Sequence, residues 1–397
     1  MGGAVRPWPC VVVVALLAGG CRGRHEGPGE ITRARPAAPA ITARAAAERA
    51  ALARLVPAAP AGAKQVLFGD LHVHTTFSAD AFLRSLPMLQ GEGARPPADA
   101  CDFARFCSAL DFWSINDHAE GISPEHWRET KESIRQCNAL AGDPRNPDLV
   151  SFLGWEWTQI GVTPETHYGH KNVVLRETAE DRVPKRPISA LDQNLIGGLR
   201  QRPGLWQRIQ YPLLDFPNRQ RYLDFGRYQD ELAGVPVCAE GVDTRELPED
   251  CSEAAHTPQE LFEKLAQWGF DALVIPHGNT WGFYSPPGTT WDKQLTSKMN
   301  DARKQFLIEI MSGHGNSEEY RDWRAVRFDE QGKAYCPEPS KSYLPSCWRA
   351  GQIIEERCKA AGADSGECTK RAAEARQNYV DAGIAGHLAI PGVNFEE

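Results

Sequence analysis

The sequence predicts an α/β barrel built from repeated strand–helix units. Short apolar runs such as "DALVIPHG" (271–278) alternate with helices that begin at capping residues, an alternation typical of βα units. Histidines and carboxylates recur where the runs end, as at His72, Glu156 and His277. Because the carboxyl ends of parallel strands open on one face of a barrel, the sequence also predicts a polar site on that face.

The composition indicates a globular protein and excludes one class of partner. The chain has 397 residues, which is enough for a single barrel with insertions. Its hydrophobic content is 42% and its charged content 24%, which are ordinary values for a globular chain. The net charge is -8, and no run of Lys and Arg resembles a nucleic-acid-binding surface. We therefore expect no nucleic-acid partner.

The first 21 residues read as an export signal. Arg6 precedes an apolar run, "VVVVALLA", that is too short to span a membrane, and small residues lead to Cys21. "LAGGC" is similar to a bacterial lipoprotein signal, which predicts lipidation of Cys21; simple cleavage and an uncleaved anchor are the alternatives. We expect a protein of the bacterial cell envelope or periplasm that touches the membrane only through this anchor.

An Ala/Pro-rich segment, residues 22–63, follows the signal and is predicted to be a tether with a helical turn or two around 43–55. The folded domain should begin near Lys64. Of the eleven cysteines, nine lie beyond the signal, and none has the C-x-x-C spacing of a zinc site, so disulfides are expected. Cys238 with Cys251, and Cys336 with Cys347, would close short loops; the odd total leaves one thiol over.

The elements follow one another in a regular order. Ser123 caps a helix whose first turn holds Pro124, and Thr257 with Glu260 forms a capping box for a helix that stops at Gly269. The predicted strands are "DFWSIND" (111–117), "LVSFLGWEW" (149–157), "HKNVVL" (170–175), "DALVIPHG" (271–278) and "FLIEIMSGHG" (306–315).

The stretch "LFGDLHVHTTFSADAF" (67–82) carries the first chemical signal. In a strand, side chains alternate between faces, so Asp70, His72 and His74 should share one face. Two adjacent imidazoles can clamp a metal ion, and a nearby carboxylate can fix the tautomer of each ring. A solvated histidine pair is the alternative, but polar residues recur at the later strand ends: Asp117, His118, Glu156, His277, Glu309 and His314.

Five stretches carry a family resemblance: "GDLHVHTTFSADA", "INDHAEG", "FLGWEWTQ", "HYGHKNVVL" and "VIPHGN". They resemble the motifs of the polymerase and histidinol phosphatase (PHP) superfamily, and most closely the exported bacterial domain-of-unknown-function family numbered 3604. The resemblance runs from about Leu67 to Tyr379. It implies a distorted (βα)7 barrel that holds two or three divalent ions and hydrolyses substrates, typically phosphate esters.

The resemblance also implies a ligand set. His72 and His74 match the paired ligands of a first metal, and Glu156 matches the carboxylate that bridges it to a second. His277 matches a ligand of the second metal, with His170 as its partner. At a third site, His118 matches a ligand, and Asp80 stands where many relatives have histidine, which favours harder metals. Zinc, manganese and iron are the candidate ions.

Further candidates surround these ligands. Asp117, Glu309 and His314 are candidate catalytic residues, although Asp117 more naturally orients a neighbour; Lys171, Asn279 and Trp281 are candidate substrate-binding residues. His167 could coordinate, bind substrate or be solvated. Trp155, Trp157 and Trp281 could form an aromatic wall, but core packing is the commoner use of tryptophan. An insertion at about 176–256 should cover the barrel mouth, and its arginines could recognise an anionic group.

These features predict a cell-envelope hydrolase that acts through a metal-bound hydroxide on a small anionic ester. An amide or cyclic ester is the alternative substrate. The final Asp-x-His of PHP proteins does not follow His314, so the chain is interpreted either as truncated or as a degenerate, non-catalytic ligand-binding lipoprotein. A truncated barrel should have an open edge and bind the first metal weakly, unless a carboxylate such as Asp70 or Glu309 fills the vacant position.

Overall fold

The computed structural model describes residues 27–34, 38–55, 67–89, 94–191, 200, 202, 204–280, 285–286, 289–312, 315–316, 326–340 and 343–382. The predicted export signal and its Cys21 lie outside these residues, as do the candidate site residues Trp281 and His314.

The centre of the protein is a mixed α/β structure around one five-stranded sheet. The strands, in spatial as well as chain order, are β1 (Gly69–Val73), β2 (Phe112–Ile115), β3 (Val150–Thr158), β4 (His170–Leu175) and β5 (Ala272–His277). β1, β2 and β3 run parallel, whereas β4 is antiparallel to both β3 and β5. β1 also contacts β4, which it does not pair with, because the sheet curls into an open half-barrel.

The expectation of uniformly parallel strands is wrong for β4. Residues 159–169 connect β3 to β4 without a helix, and so short a connection cannot cross the sheet to start a parallel strand. The reversed direction of β4 still brings a histidine to the site. His170 is the first residue of β4 and pairs with His277, the last residue of β5, so both lie at the same rim.

The last predicted strand, "FLIEIMSGHG", forms only in part. Residues 304–309 run beside β5 with two backbone hydrogen bonds, from Val274 N to Lys304 O at 2.9 Å and from Glu309 N to Pro276 O at 3.1 Å. Only Met311–Ser312 is a regular strand, paired with Gly315–Asn316. Phe306 is 66% exposed, and no further strand pairs with this segment in the described part of the chain.

The helices surround the sheet and extend beyond it. Those in the described residues are α1 (Ala38–Leu55), α2 (Ala79–Arg84), α3 (Pro97–Asp102), α4 (Pro124–Leu140), α5 (Leu205–Leu214), α6 (Arg219–Gly234), α7 (Pro258–Trp268), α8 (Ser346–Ala360) and α9 (Ser365–Ala382). A π-helical turn, Phe103–Cys107, follows α3. None of these helices is long and apolar enough to cross a membrane.

Short elements complete the fold. Single 3-10 turns cover Ala119–Gly121, Glu180–Arg182, Phe216–Asn218, Asp292–Gln294 and Ser297–Met299. Two-residue strands pair Gly142–Asp143 with Asn146–Pro147, Ile188–Ser189 with Glu253–Ala254, and Arg327–Phe328 with Ala334–Tyr335.

The main core lies between the convex face of the sheet and the helices. Trp113, Trp155 and Trp157 are buried there, and Trp155 packs edge to face on Trp127 of α4. Period-two alternation explains the placement, because residues that flank Glu156 in β3 must point to the opposite face. Trp155 and Trp157 therefore serve core packing, and the indole of Trp157 donates to Ala255 O at 2.8 Å.

Both predicted helix starts are present. The Ser123 hydroxyl accepts from His126 N at the start of α4. Thr257 Oγ1 accepts from Glu260 N, and the Glu260 carboxylate in return accepts from His256 N at 2.7 Å. Gly269 then ends α7 with a φ of 72°, a left-handed conformation that glycine adopts without strain.

Helices α5 and α6 belong to the segment predicted as an insertion. Tyr228 of α6 is buried, and its hydroxyl lies 3.1 Å from Phe77 O and 2.8 Å from Gly121 O, on two loops beside the site. Two arginines of this segment have structural partners: Arg186 pairs with buried Glu253, and Arg208 pairs with Asp230.

Four disulfides cross-link the described residues, as the sequence predicted. They join Cys101 to Cys137, Cys238 to Cys251, Cys336 to Cys347, and Cys358 to Cys368, while Cys107 is free and exposed. Both short pairings suggested by the sequence are present, and one thiol remains over.

Candidate metal centre

Glu156 is the centre of the site. It is the third-last residue of β3 and is fully buried on the concave face of the sheet. Its two carboxylate oxygens face different histidines. Oε1 lies 2.5 Å from His170 Nδ1 and 2.9 Å from His277 Nε2. Oε2 lies 3.0 Å from His74 Nε2 and 3.1 Å from His118 Nδ1.

Two groups of ligand atoms therefore share one carboxylate. The first consists of His72, Glu156 and His277, and the second of His74, His118 and Glu156; within each group all the donor atoms lie within 4.8 Å of one another. The sequence predicted His72, His74, Glu156 and His277 to converge, and the structure brings them together from β1 and the residue after it, from β3 and from β5.

The spacing of the donor atoms suits bound metal ions better than it suits hydrogen bonds between the side chains themselves. Oε2 of Glu156 is buried and accepts no hydrogen bond from any described residue. The Nε2 atoms of His72 and His74, one from each group, lie 3.0 Å apart, so these two histidines could also bind the same ion. Two nitrogens that each lie about 2.1 Å from one ion, at angles of about 90–109°, are about 3.0–3.4 Å apart. The residues present could thus hold divalent ions on both sides of Glu156.

The electrostatics keep Glu156 negative. Burial alone would raise the pKa of Glu156, but the positive charges of His118, His170 and His277 hold it well below its usual range. Burial alone would lower the pKa of His118, yet the carboxylates of Glu156 and Asp80 raise it to about 10. A buried carboxylate that stays negative requires positive charge nearby, which a proton on His118 or bound cations can supply.

Asp80 lies at the edge of the cluster. Its Oδ1 is 3.3 Å from His118 Nε2, while His118 Nδ1 faces Glu156 and is 2.5 Å from Thr158 Oγ1. The charge of His118 lowers the pKa of Asp80, although burial opposes this shift. Asp80 is thus placed beside the imidazole with which the resemblance pairs it, and apart from the two groups that share Glu156.

Asp117 points away from the cluster and orients its neighbours. Its carboxylate accepts from Thr75 N at 2.6 Å, from Thr75 Oγ1 at 2.7 Å and from Ser78 Oγ at 2.9 Å. Ser78 Oγ in turn lies 2.8 Å from His74 Nδ1 and accepts from His118 N at 3.0 Å. Sequence reasoning missed Ser78, whose position four residues after His74 was the available signal.

Glu309 reaches the site from the irregular segment beside β5. Its Oε2 lies 2.9 Å from His72 Nδ1 and 3.9 Å from His277 Nδ1. The Nε2 atoms of both rings face Glu156, so Glu309 contacts the nitrogens on the far side. Asp70, the other carboxylate suggested for a vacant position, is exposed, and its Oδ1 accepts from His72 N at 2.9 Å.

The candidate substrate-binding residues Lys171 and Asn279 are fully buried. Lys171 Nζ lies on the convex face and donates to Gln294 Oε1 at 2.7 Å and to Tyr168 O at 3.2 Å. Burial, reinforced by the charge of Lys293, lowers the pKa of Lys171 to about 7. Asn279 Nδ2 also donates to Tyr168 O, at 2.7 Å. Both side chains hold the turn that leads into His170.

His167 is buried near the cluster without joining it. Its Nδ1 accepts from Gly161 N at 3.3 Å, and its Nε2 lies 3.4 Å from Ser285 Oγ. Burial, and then the charge of His170, lower the pKa of His167 to about 3. The imidazole of His167 is therefore neutral near pH 7, and its contacts are structural.

Comparison with known proteins finds one similarity. A family model described as "Protein of unknown function (DUF3604)" matches residues 61–140. That span contains His72, His74, Asp80 and His118, and it ends before Glu156, His170 and His277. No curated protein and no solved structure matched the chain.

Proposed function

We propose that this protein is a metal-dependent hydrolase of the PHP type with a phosphoesterase-like activity. The observation that carries the proposal is how the histidines are arranged around Glu156. Its Oε1 faces His170 and His277, while Oε2 faces His74 and His118. A carboxylate with a separate set of imidazoles on each oxygen is the arrangement of a bridging ligand in a two-metal site.

The donor set narrows the choice of metal. Imidazole nitrogens and carboxylate oxygens suit zinc, manganese and iron, and no cysteine contacts the cluster among the described residues. When bound, two such ions would act as Lewis acids, which would lower the pKa of a water molecule and polarise the ester under attack. A third ion beside Asp80 and His118 remains part of the proposal.

The remaining residues of the site orient these ligands. Glu309 is placed to hold a proton on Nδ1 of His72, which directs the lone pair of Nε2 towards Glu156. Ser78, fixed by Asp117, does the same for His74. The concave rim provides a polar site on a rigid sheet, which is what substrate positioning requires.

The substrate class and cellular address rest on the sequence. The PHP resemblance favours a phosphomonoester or phosphodiester, and the export signal favours action in the cell envelope. We include in this proposal a complete (βα)7 barrel; the described residues themselves form five strands in an open, curled sheet.

The test is to measure metal content and ester hydrolysis on the purified full chain. The chain is loaded with manganese, zinc or iron and assayed against a panel of phosphate esters, amides and cyclic esters. We expect hydrolysis that requires metal and is lost, together with bound metal, in the Glu156→Gln and the His72→Ala/His74→Ala variants.

Glu129→Gln is the matched control, because Glu129 is also buried but lies on α4 away from the cluster. This variant should keep metal and activity. Equal activity in the wild type and Glu156→Gln would refute the proposal. Tight metal binding without turnover of any ester would favour the alternative, a non-catalytic ligand-binding protein.

A further inference from the structure

Helix α5 exposes a stripe of large apolar side chains. Trp206, Leu213 and Leu214 are 71%, 53% and 67% exposed; Leu205 at the start of the helix is 74% exposed, and Phe216 just after the helix is 54% exposed. Soluble proteins scatter such residues singly over their surfaces, so a group of this size on one short helix indicates a contact surface.

The stripe is a consequence of helical spacing. Trp206, Leu213 and Leu214 are separated by seven and eight residues, which places them on one side of the helix. Pro212 on the opposite side is buried, and Arg208 on that side pairs with Asp230 of α6. The helix is therefore fixed to α6 by one side and presents the other to solvent.

Cations flank the stripe at both ends. Arg202 precedes α5, and Arg219 follows it with its guanidinium 4.3 Å from the centroid of the Phe216 ring. Neither arginine forms a salt bridge with a carboxylate among the described residues. The nearby Asp215 is already engaged, since it accepts from the Tyr222 hydroxyl at 2.8 Å.

An apolar cleft lies beside this surface. It has a volume of about 520 Å³ and is lined by Tyr211 of α5, Tyr222 and Phe225 of α6, and Leu83, Met88 and Leu89. Met88 and Leu89 are themselves 49% and 59% exposed. Arg202 and Arg208 also line the cleft, so its wall combines apolar groups with positive charge.

We propose that α5 binds the surface of a bilayer that contains anionic phospholipid. Leucines and a tryptophan on one face, with arginines at the ends, are the features by which an amphipathic helix lies in a membrane interface. The whole chain has a net charge of -8, so attraction to anionic lipid must come from this local pair of arginines. The proposal adds a second membrane contact to the anchor predicted at Cys21 and is independent of the hydrolase proposal.

The test must read out α5 itself, because the apolar residues 11–18 of the full chain can also enter a bilayer. We would measure hydrogen–deuterium exchange of peptides that cover 204–218 in the full chain. The probes are vesicles of phosphatidylcholine with about one-third phosphatidylglycerol, and vesicles of phosphatidylcholine alone. We expect exchange to slow by about tenfold or more with the anionic vesicles, and much less with phosphatidylcholine.

Two variants and one control sharpen the test. Trp206→Ser/Leu213→Ser/Leu214→Ser should abolish the protection, since these side chains supply the apolar surface that enters the bilayer. Arg202→Gln/Arg219→Gln should remove the preference for anionic vesicles. Phe328→Ser, at a side chain 50% exposed elsewhere, should leave the protection unchanged.

Three outcomes would overturn the proposal. The first is no protection of 204–218 by any vesicle. The second is equal protection by both kinds of vesicle. The third is protection that rises with protein concentration in the absence of lipid, which would identify a second copy of the chain as the partner of α5.

Discussion

At the scale of single residues, Glu309 shows how position decides a role. It is 237 positions after His72 in the chain, yet its carboxylate lies 2.9 Å from the ring of His72. Because a metal-binding imidazole is oriented by whatever holds its second nitrogen, Glu309 acts on the cluster through His72. We therefore describe Glu309 as a positioning residue.

Glu309→Gln should weaken metal binding while leaving the fold intact. The amide keeps the size of the side chain but loses the charge that stabilises a proton on His72 Nδ1. We expect metal affinity to fall by about 10–100-fold, as measured by competition with a chelating indicator. Glu330→Gln, on an exposed turn, is the control. Unchanged affinity in Glu309→Gln would contradict this role.

His167 should make the folded protein sensitive to acid. Its pKa in the folded protein is about 3, below the ordinary value of 6.5. As the pH falls below 6.5, the unfolded chain takes up a proton at this residue, while the folded protein does so only near pH 3. The contribution of His167 to stability is therefore complete above pH 6.5 and is lost progressively between pH 6.5 and pH 3.

The measurement is the free energy of unfolding by urea at several pH values. His167→Gln should lose less stability than the wild type between pH 6.5 and pH 4, because glutamine does not titrate. The exposed His256 provides the control, since His256→Gln should follow the wild-type pH dependence. Parallel curves for wild type and His167→Gln would show the prediction to be wrong.

At the scale of elements, the connections decide which ends meet. The strand β3 carries Glu156 to the rim, and the short segment 159–169 returns the chain there as β4. His170 thus faces Glu156 from the start of a strand, while His277 does so from the end of one. Both histidines lie at the same rim because their strands run in opposite directions.

Helix α7 leads into β5 and so into His277, and its N-terminal cap should be measurable. Thr257→Ala removes the oxygen that accepts from Glu260 N, which leaves an end-of-helix donor without its partner. We expect the free energy of unfolding to fall by about 1 kcal/mol, measured by urea titration. Gln259→Ala, two residues after Thr257 at a side chain that takes no part in the cap, should change it far less; an equal loss in both variants would count against the cap.

At the scale of the whole molecule, disulfides tie distant segments together. Cys101 in α3 and Cys137 in α4 are 36 residues apart, the widest separation among the four bridges of the described residues. The other three close separations of 10 to 13 residues. A bridge restricts the unfolded chain more as its loop lengthens, so the first one should stabilise most.

Cys101→Ala/Cys137→Ala should lower the free energy of unfolding by about 3–4 kcal/mol under oxidising conditions. Cys358→Ala/Cys368→Ala, which opens the shortest loop, should cost somewhat less. Cys107→Ala changes only the exposed free thiol and should have little effect. If the two double variants cost the same, loop length is not what governs the contribution of these bridges.

The sequence by itself determined the local features of this protein. Period-two alternation placed Trp155 and Trp157 in the core and Glu156 on the opposite face, because side-chain direction in a strand depends only on parity. Capping chemistry located the starts of α4 and α7, since a cap needs only the residues next to it. Cysteine spacing suggested two of the four disulfides.

Tertiary structure decided what depends on distant neighbours. The direction of β4 and the irregular course of residues 304–309 were not predicted, because strand pairing is set by contacts between segments rather than by either segment alone. The motifs predicted the cluster, but only the fold showed which residues orient its histidines. Glu309 contacts His72, and Ser78 contacts His74. Lys171 and Asn279 hold the turn before His170. The chemistry of a side chain depends on its residue type, whereas the partner that it contacts depends on how the whole chain packs.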